Sequence, residues 1–207
     1  MGFRIPRLYA IIDPAQTRGL APGAVAEMLL TAGVRLIQYR GKTETSRRLF
    51  DVSCEMAERV HRAGGTFIVN DRADLVRLAG ADGVHVGQED LPVELARRVL
   101  LPGQWVGVST HTQAQMEEAE ASSADYVAFG PVFPTASKER PDPVVGLERL
   151  RQVRGLTRKP LVAIGGITLA NAPSVIEAGA DSVAVIHDLL AAEDIGAQAR
   201  KYLQALG

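Results

Sequence analysis

Basic, acidic and amide side chains recur at short spacing behind apolar runs in this chain, and their types suit anion and metal binding. The run Gln38-Tyr39-Arg40-Gly41-Lys42 sets an amide and two cations within five residues, a donor set for an anionic ligand. Asn70-Asp71-Arg72 and Gly87-Gln88-Glu89-Asp90 each add a carboxylate. Asp71 and Asp90 together could share Mg2+, which takes one or two protein carboxylates and leaves its other positions to water and substrate phosphate. Either Asp alone serves equally well as a helix N-cap, Asp90 before Pro92 above all. Ser109-Thr110-His111 lacks the acid partner and nucleophile elbow of a hydrolase. Ser109 therefore reads as a hydrogen-bonding group for a ligand, or as the N-cap of the helix carrying Gln113. Thr135-Ala136-Ser137-Lys138 offers two hydroxyls and a cation for phosphate, inside an irregular stretch with four prolines in 13 residues. Gly165-Gly166 and Ile186-His187 complete the set as backbone donors.

What must position these residues is a series of short apolar, β-branched runs. They fall at Leu8–Asp13, Leu36–Arg40, Thr66–Asn70, Gly83–Gly87, Trp105–Thr110, Tyr126–Gly130, Leu161–Gly166 and Ser182–His187. Each has the length of a buried strand and is bounded by Gly, Pro or Asp. Between them, stretches such as Ala24–Ala32, Ser46–Ala63, Pro92–Leu100, Gln113–Ala121, Leu147–Val153 and Leu169–Ala178 have helical spacing. Eight alternations at about 26 residues per unit predict a compact (β/α)8 barrel (TIM barrel), of the α/β class, in a single domain spanning 1–207. Ala-Gly or Ala-Asp precedes every even strand (AGVRLIQ, AGADGVHVG, SSADYVAFG, AGADSVAVI), a weak two-unit repeat. The rival is an open doubly wound sheet, which the evenness of the units disfavours.

In such a barrel the site lies at the carboxyl ends of the strands, where the polar runs above fall. Alternation puts Leu36, Gln38 and Arg40 on the inward face of the second strand, with Ile37 and Tyr39 against helices. A solvated rim of ordinary charges is the alternative reading of that run. The loops after strands 7 and 8 are a recurrent phosphate site in these barrels, and glycines at 165 and 166 allow close backbone approach. The sum is two anion regions around one mouth. Arg40, Lys42, Lys138, Asp71 and Asp90 suit a diphosphate with Mg2+; the Thr/Ser loop with strands 7 and 8 suits a monophosphate.

Composition is consistent with this. The 207 residues carry 24 acids against 23 bases, which removes any global electrostatic case for nucleic acid or an anionic membrane. The single cysteine, Cys54, permits no internal disulfide. With no signal-like or spanning apolar stretch, the expectation is a cytoplasmic, soluble protein acting on small molecules; a homo-oligomer is compatible with it.

From about Leu8 to the C-terminus the chain resembles the thiamin-phosphate synthase (thiamine phosphate pyrophosphorylase) family. The segments that carry the resemblance, in order, are QYRGK (38–42), NDRADL (70–75), ADGVHVGQEDL (81–91) and GVSTH (107–111), then ADYVAFGPVFPTASK (124–138), AIGGI (163–167) and GADSVAVI (179–186). The resemblance implies a transferase in which an aminomethylpyrimidine methyl diphosphate loses pyrophosphate and the nitrogen of hydroxyethylthiazole phosphate takes its place. It implies that the QYRGK segment (Gln38, Tyr39, Arg40, Gly41, Lys42), Asn70, Ser109 and Lys138 contact the pyrimidine diphosphate. Arg40, Lys42 and Lys138 would stabilise the departing pyrophosphate, and Asp71 and Asp90 would hold Mg2+. Thr135, Ala136, Ser137, Gly166, Ile186 and His187 would hold the thiazole phosphate.

Two positions depart from the family pattern. Ser137 stands where a second Thr is usual and keeps the hydroxyl. His187 stands where a small Ser is usual, adding bulk beside the thiazole phosphate. His85, inside a strand, reads as a core or rim residue, His61 as a helix-face residue and His111 as a support to the site. The related thiazole tautomerases depend on a His right after the sixth-strand glycine, a place taken here by Pro131. A non-catalytic phosphate-binding barrel would have no need of Asp71 and Asp90 together with Lys138.

Overall fold

The computed structural model describes residues 5–135 and 142–207. Eight parallel strands run as β1 (Leu8–Ile12), β2 (Leu36–Tyr39), β3 (Thr66–Asn70), β4 (Gly83–Val86), β5 (Trp105–Thr110), β6 (Tyr126–Phe129), β7 (Leu161–Ala163) and β8 (Ser182–Val185). Pairing proceeds in sequence order, and Leu8 of β1 lies opposite Val183 of β8, so the sheet closes on itself. Closure excludes the open doubly wound sheet. The strands are short because each is buried on both faces and needs to span only the barrel wall.

The helices are α1 (Pro22–Ala32), α2 (Ser46–Arg62), α3 (Ala73–Ala79), α4 (Val93–Val99), α5 (Gln113–Ala121), α6 (Gly146–Arg154), α7 (Ala172–Glu177), α8 (His187–Leu190) and α9 (Ile195–Leu206). Local signals start several of them. Thr45 caps α2 by accepting from Arg48 N–H, Thr112 and Gln115 form a reciprocal capping box on α5, and Asp194 caps α9. Gly33 ends α1 at φ 106°, a conformation that costs glycine nothing. Among the described residues no helix is long and apolar enough to cross a membrane.

Alternation along the strands separates two apolar clusters. Tyr9, Leu36, Ile68, Tyr126, Ala128, Val162 and Ala184 fill the barrel interior. Ile37, Tyr39, Phe67, Val69, Val84 and their counterparts pack outward against the helices. The two-unit repeat has a structural cause at the amino-terminal end of the barrel. Asp82, Asp125 and Asp181, each just before an even strand, accept the backbone N–H of Phe67, Val106 and Leu161 in the preceding odd strand, at 2.7, 2.7 and 2.8 Å. Each is held by a basic or imidazole partner, respectively His61, Arg97 and Arg154.

Several boundaries differ from those read in the sequence. Strand β7 ends at Ala163 because Gly165 and Gly166 turn the chain with φ of 87° and 65°. Strand β8 ends at Val185, so His187 opens α8 and is exposed. Helix α3 is too short to display a helical period in the sequence.

Candidate active site

The carboxyl end of β2 supplies the basic side chains. Gln38 is 2% exposed and points inward, its Nε2 donating to the Tyr9 hydroxyl at 2.7 Å. Arg40, two residues on, faces the same way and pairs with Asp13 at 2.5 Å. Asp13 directly follows β1 and also accepts from Ala15 N–H at 3.0 Å. Nothing in the sequence reading singled out Asp13; its signal was a carboxylate at a strand end. Lys42 follows, with Nζ 3.2 Å from Asp71 Oδ2. Tyr39 differs from the expectation for the QYRGK segment. Its side chain is fully buried on the helix side and its hydroxyl donates to Glu44, which leaves only its backbone toward the mouth.

Asp71 and Asp90 come from the ends of β3 and β4 and face one another. Burial, and next the neighbouring Asp90 carboxyl, raise the Asp71 pKa above the usual carboxylate range, with Lys42 opposing. Asp90 is oriented by accepting Gly87 N–H at 2.7 Å. The capping alternatives are excluded: Arg72 and Pro92 occupy the N-cap positions of α3 and α4, and neither helix has a side-chain cap. Asp71 holds a left-handed backbone, φ 61°, which is uncommon for a non-glycine residue. Two facing carboxylates, one partly desolvated, suit a divalent cation. Among the described residues no cluster of three or more His, Cys, Asp and Glu forms. The two carboxylates are hard oxygen donors, of the kind that hold Mg2+ when water and phosphate complete its shell. Asn70, one residue before Asp71, sits half-buried at the same rim.

A line of polar groups crosses the barrel beneath this rim. Tyr9 Oη lies 3.0 Å from Tyr126 Oη, which lies 3.1 Å from His85 Nδ1; His85 Nε2 lies 2.9 Å from Ser109 Oγ. Gln38 and Ser109, on β2 and β5, are thus joined through three rings. Ser109 does not cap α5, a task taken by Thr112. The sequence alone points to neither Tyr9 nor Tyr126 and reads His85 as a core or rim residue, although each is a polar ring at an inward position of a strand. Gly107 makes room for this line: a Cβ there would lie 2.0 Å from Tyr126 Cζ.

Across the mouth, the loop after β6 packs against the turn after β7. A Cβ on Gly166 would meet Pro134 O at 2.4 Å, and one on Gly165 would meet Pro131 Cβ at 2.3 Å. The glycines therefore admit the protein's own loop. His111 braces the same loop, its Nδ1 2.6 Å from Gly130 O and its Nε2 3.4 Å from Asp142. Thr135 lies at the loop's described edge, and Ile186 and His187 stand at the end of β8 beside this turn. Ala136, Ser137 and Lys138 lie outside the described residues. Gln38, Arg40, Lys42, Asn70, Asp71, Asp90 and Ser109 thus belong to adjacent strand ends β2 to β5, and Gly166, Ile186 and His187 to β7 and β8.

The model of the thiamine monophosphate synthase family matches residues 8–189. The chain belongs to this family. The thiamine-phosphate synthase of Koribacter versatilis is 50% identical over 99% of the chain and 98% of its own length. That of Methanocella arvoryzae is 46% identical over 93% and 91%. Among solved structures, a thiamine phosphate pyrophosphorylase from Pyrococcus furiosus superposes with a TM-score of 0.88 at 32% identity, covering 97% of this chain and 95% of that one. Membership of the thiamine monophosphate synthase family thus extends over the whole barrel, including both halves of the mouth.

Proposed function

We propose that the whole chain is one catalytic domain, a cytoplasmic enzyme that joins 4-amino-2-methyl-5-(diphosphooxymethyl)pyrimidine to hydroxyethylthiazole phosphate, giving thiamin phosphate and pyrophosphate. The observation that carries this reading is the convergence of Gln38, Arg40, Lys42, Asp71, Asp90 and Ser109 on neighbouring strand ends. The carbon–oxygen bond breaks ahead of attack, because the pyrimidine amino group stabilises the cation left behind. The ring nitrogen of the thiazole is then nucleophile enough, and no protein base is required.

The work left to the protein is to receive negative charge on the departing pyrophosphate. Arg40, held by Asp13, presents a fixed guanidinium, and Lys42 a second cation; Lys138 would supply a third. Asp71 and Asp90 would hold Mg2+. Bound there, the metal would supply Lewis acidity toward the leaving phosphate oxygens. Ser109 and Asn70 would donate hydrogen bonds to the diphosphate, and Gln38 would orient the pyrimidine. The packed loop after β6, with Gly166 and the backbone at Ile186–His187, would cradle the thiazole phosphate and keep water from the reactive carbon.

The test is to supply both substrates with and without Mg2+ and to measure thiamin phosphate and pyrophosphate. Metal-dependent formation of both is the expected result. Isomerised thiazole phosphate alone, or binding of both compounds without turnover, overturns the proposal.

A further inference from the structure

We infer that the buried string from Gln38 to Ser109 carries its protons in one direction, which makes His85 the Nε2–H tautomer and leaves the Ser109 hydroxyl proton free to be given to the ligand. The argument is one of donor and acceptor supply. The Gln38 amide nitrogen only donates, so the Tyr9 oxygen accepts at 2.7 Å. Tyr9 must then pass its own proton to Tyr126, 3.0 Å away. If Tyr126 donated to Tyr9 instead, the Tyr9 proton would be buried without an acceptor, a costly arrangement. Tyr126 therefore donates onward to His85 Nδ1 at 3.1 Å. That nitrogen must be bare, and the proton of the neutral imidazole sits on Nε2, which donates to Ser109 Oγ at 2.9 Å.

Ser109 is thereby supplied with a donor from within the barrel. Its own proton has no role in the string, and the mouth is where an acceptor would come. Burial raises both phenol pKa values, so Tyr9 and Tyr126 stay protonated and the order is preserved. The rings are fixed as well. His85 and Tyr126 stack with centroids 5.6 Å apart, and Tyr9 meets Tyr126 edge-on at 6.1 Å. Tyr9, Tyr126 and His85 are on this account positioning residues: they act through Ser109 by deciding which partner of its hydrogen bond is the donor. This deepens the proposed function and rests on its reading of Ser109 as a group that contacts the diphosphate.

The direct test is long-range 15N–1H correlation of the full-length protein labelled at histidine nitrogen, with the His85 signals assigned by their loss in His85→Gln. A proton on Nε2 and none on Nδ1 is expected. A proton on Nδ1 overturns the inference, because it means the amide of Gln38 is reversed and every bond runs the other way. A kinetic test follows with both substrates. Tyr126→Phe keeps the ring and removes only the donor, and it should lower kcat roughly tenfold, the scale of one hydrogen bond to a charged group, with KM for thiazole phosphate unchanged. In a Ser109→Ala background the same change should have no further effect; additive losses overturn the positioning role. If Ser109→Ala turns over at the wild-type rate while His85 is Nε2-protonated, the string stands as described and the reading of Ser109 in the proposed function fails.

Discussion

The Arg40 guanidinium is held by Asp13 across the β1–β2 seam, and both side chains are largely withdrawn from water, 14% and 8% exposed. A charged group at a catalytic mouth helps only if it is aimed before charge develops, since reorientation would otherwise consume the stabilisation. Asp13 does this by directly following β1, one strand away, and by tying itself to the next turn.

Asp13→Ala should therefore act on catalysis as well as on stability. Arg40, 14% exposed, loses its counter-charge, a break that costs at most about 3–5 kcal/mol, the value for fully buried pairs. Turnover should fall toward that of Arg40→Ala, for which loss of a preorganised charge predicts about 10²–10³ in kcat. Denaturant unfolding and steady-state rates measure the two effects; a wild-type kcat in the folded Asp13→Ala protein rules out the aiming role.

Asp71 and Asp90 lead to an expectation about metal. Burial and Asp90 raise the Asp71 pKa even with Lys42 3.2 Å away, so ionised Asp71 is unfavourable without a metal ion. In metal-free buffer at neutral pH, Asp71→Asn should melt at a higher temperature than wild type. Mg2+ should raise the wild-type melting temperature by mass action and leave that of Asp71→Asn almost unchanged, while the variant loses turnover. A melting temperature of wild type indifferent to saturating Mg2+ contradicts the assigned site.

The barrel was legible in the sequence because eight runs buried on both faces cannot hide their apolar character, and because Gln38 and Arg40 break the inward pattern of β2. Tyr39 shows the limit of a motif: contiguous in QYRGK, it is turned by alternation to the helix side. In the sequence Gly166 suggests room for an anion; the structure adds that a side chain there would strike the loop at 133–134. His85 looked like packing because a strand interior says nothing of what stands across the barrel. Only the register of β4, β5 and β6, with Gly107 between His85 and Tyr126, brings Tyr126 and Ser109 to its two nitrogens. His187 was placed at a strand end, and the turn at Ile186 moved it onto α8.

The repeated Asp at the opposite end of the barrel should separate stability from activity. Asp125 accepts the Val106 N–H at 2.7 Å and pairs with Arg97, at the opposite end of β6 from the strand ends that carry the mouth. Asp125→Ala orphans that N–H, at a cost of about 1–3 kcal/mol. The kcat of the folded fraction should remain at the wild-type value, as expected for the amino-terminal face of such a barrel. A loss of kcat with unchanged stability reverses the assignment.

The four tyrosines, Tyr9 and Tyr126 inside the barrel and Tyr39 and Tyr202 between it and the helices, offer a test of both apolar layers. Burial is the largest cause raising the pKa of each of Tyr9, Tyr39, Tyr126 and Tyr202. In the unfolded chain tyrosine releases its proton near pH ~10; in the folded protein all four retain it beyond that point. The folded state then binds more protons than the unfolded state, so stability falls as pH rises through and above that value. Below it the four phenols contribute no pH dependence. A spectrophotometric titration should show no phenolate absorbance ahead of unfolding, then the signal of all four tyrosines in one step coincident with loss of far-ultraviolet circular dichroism. Gradual phenolate formation in the still-folded protein, near the ordinary tyrosine pKa, is the opposite outcome and means that water reaches the buried hydroxyls within the barrel or between it and the helices.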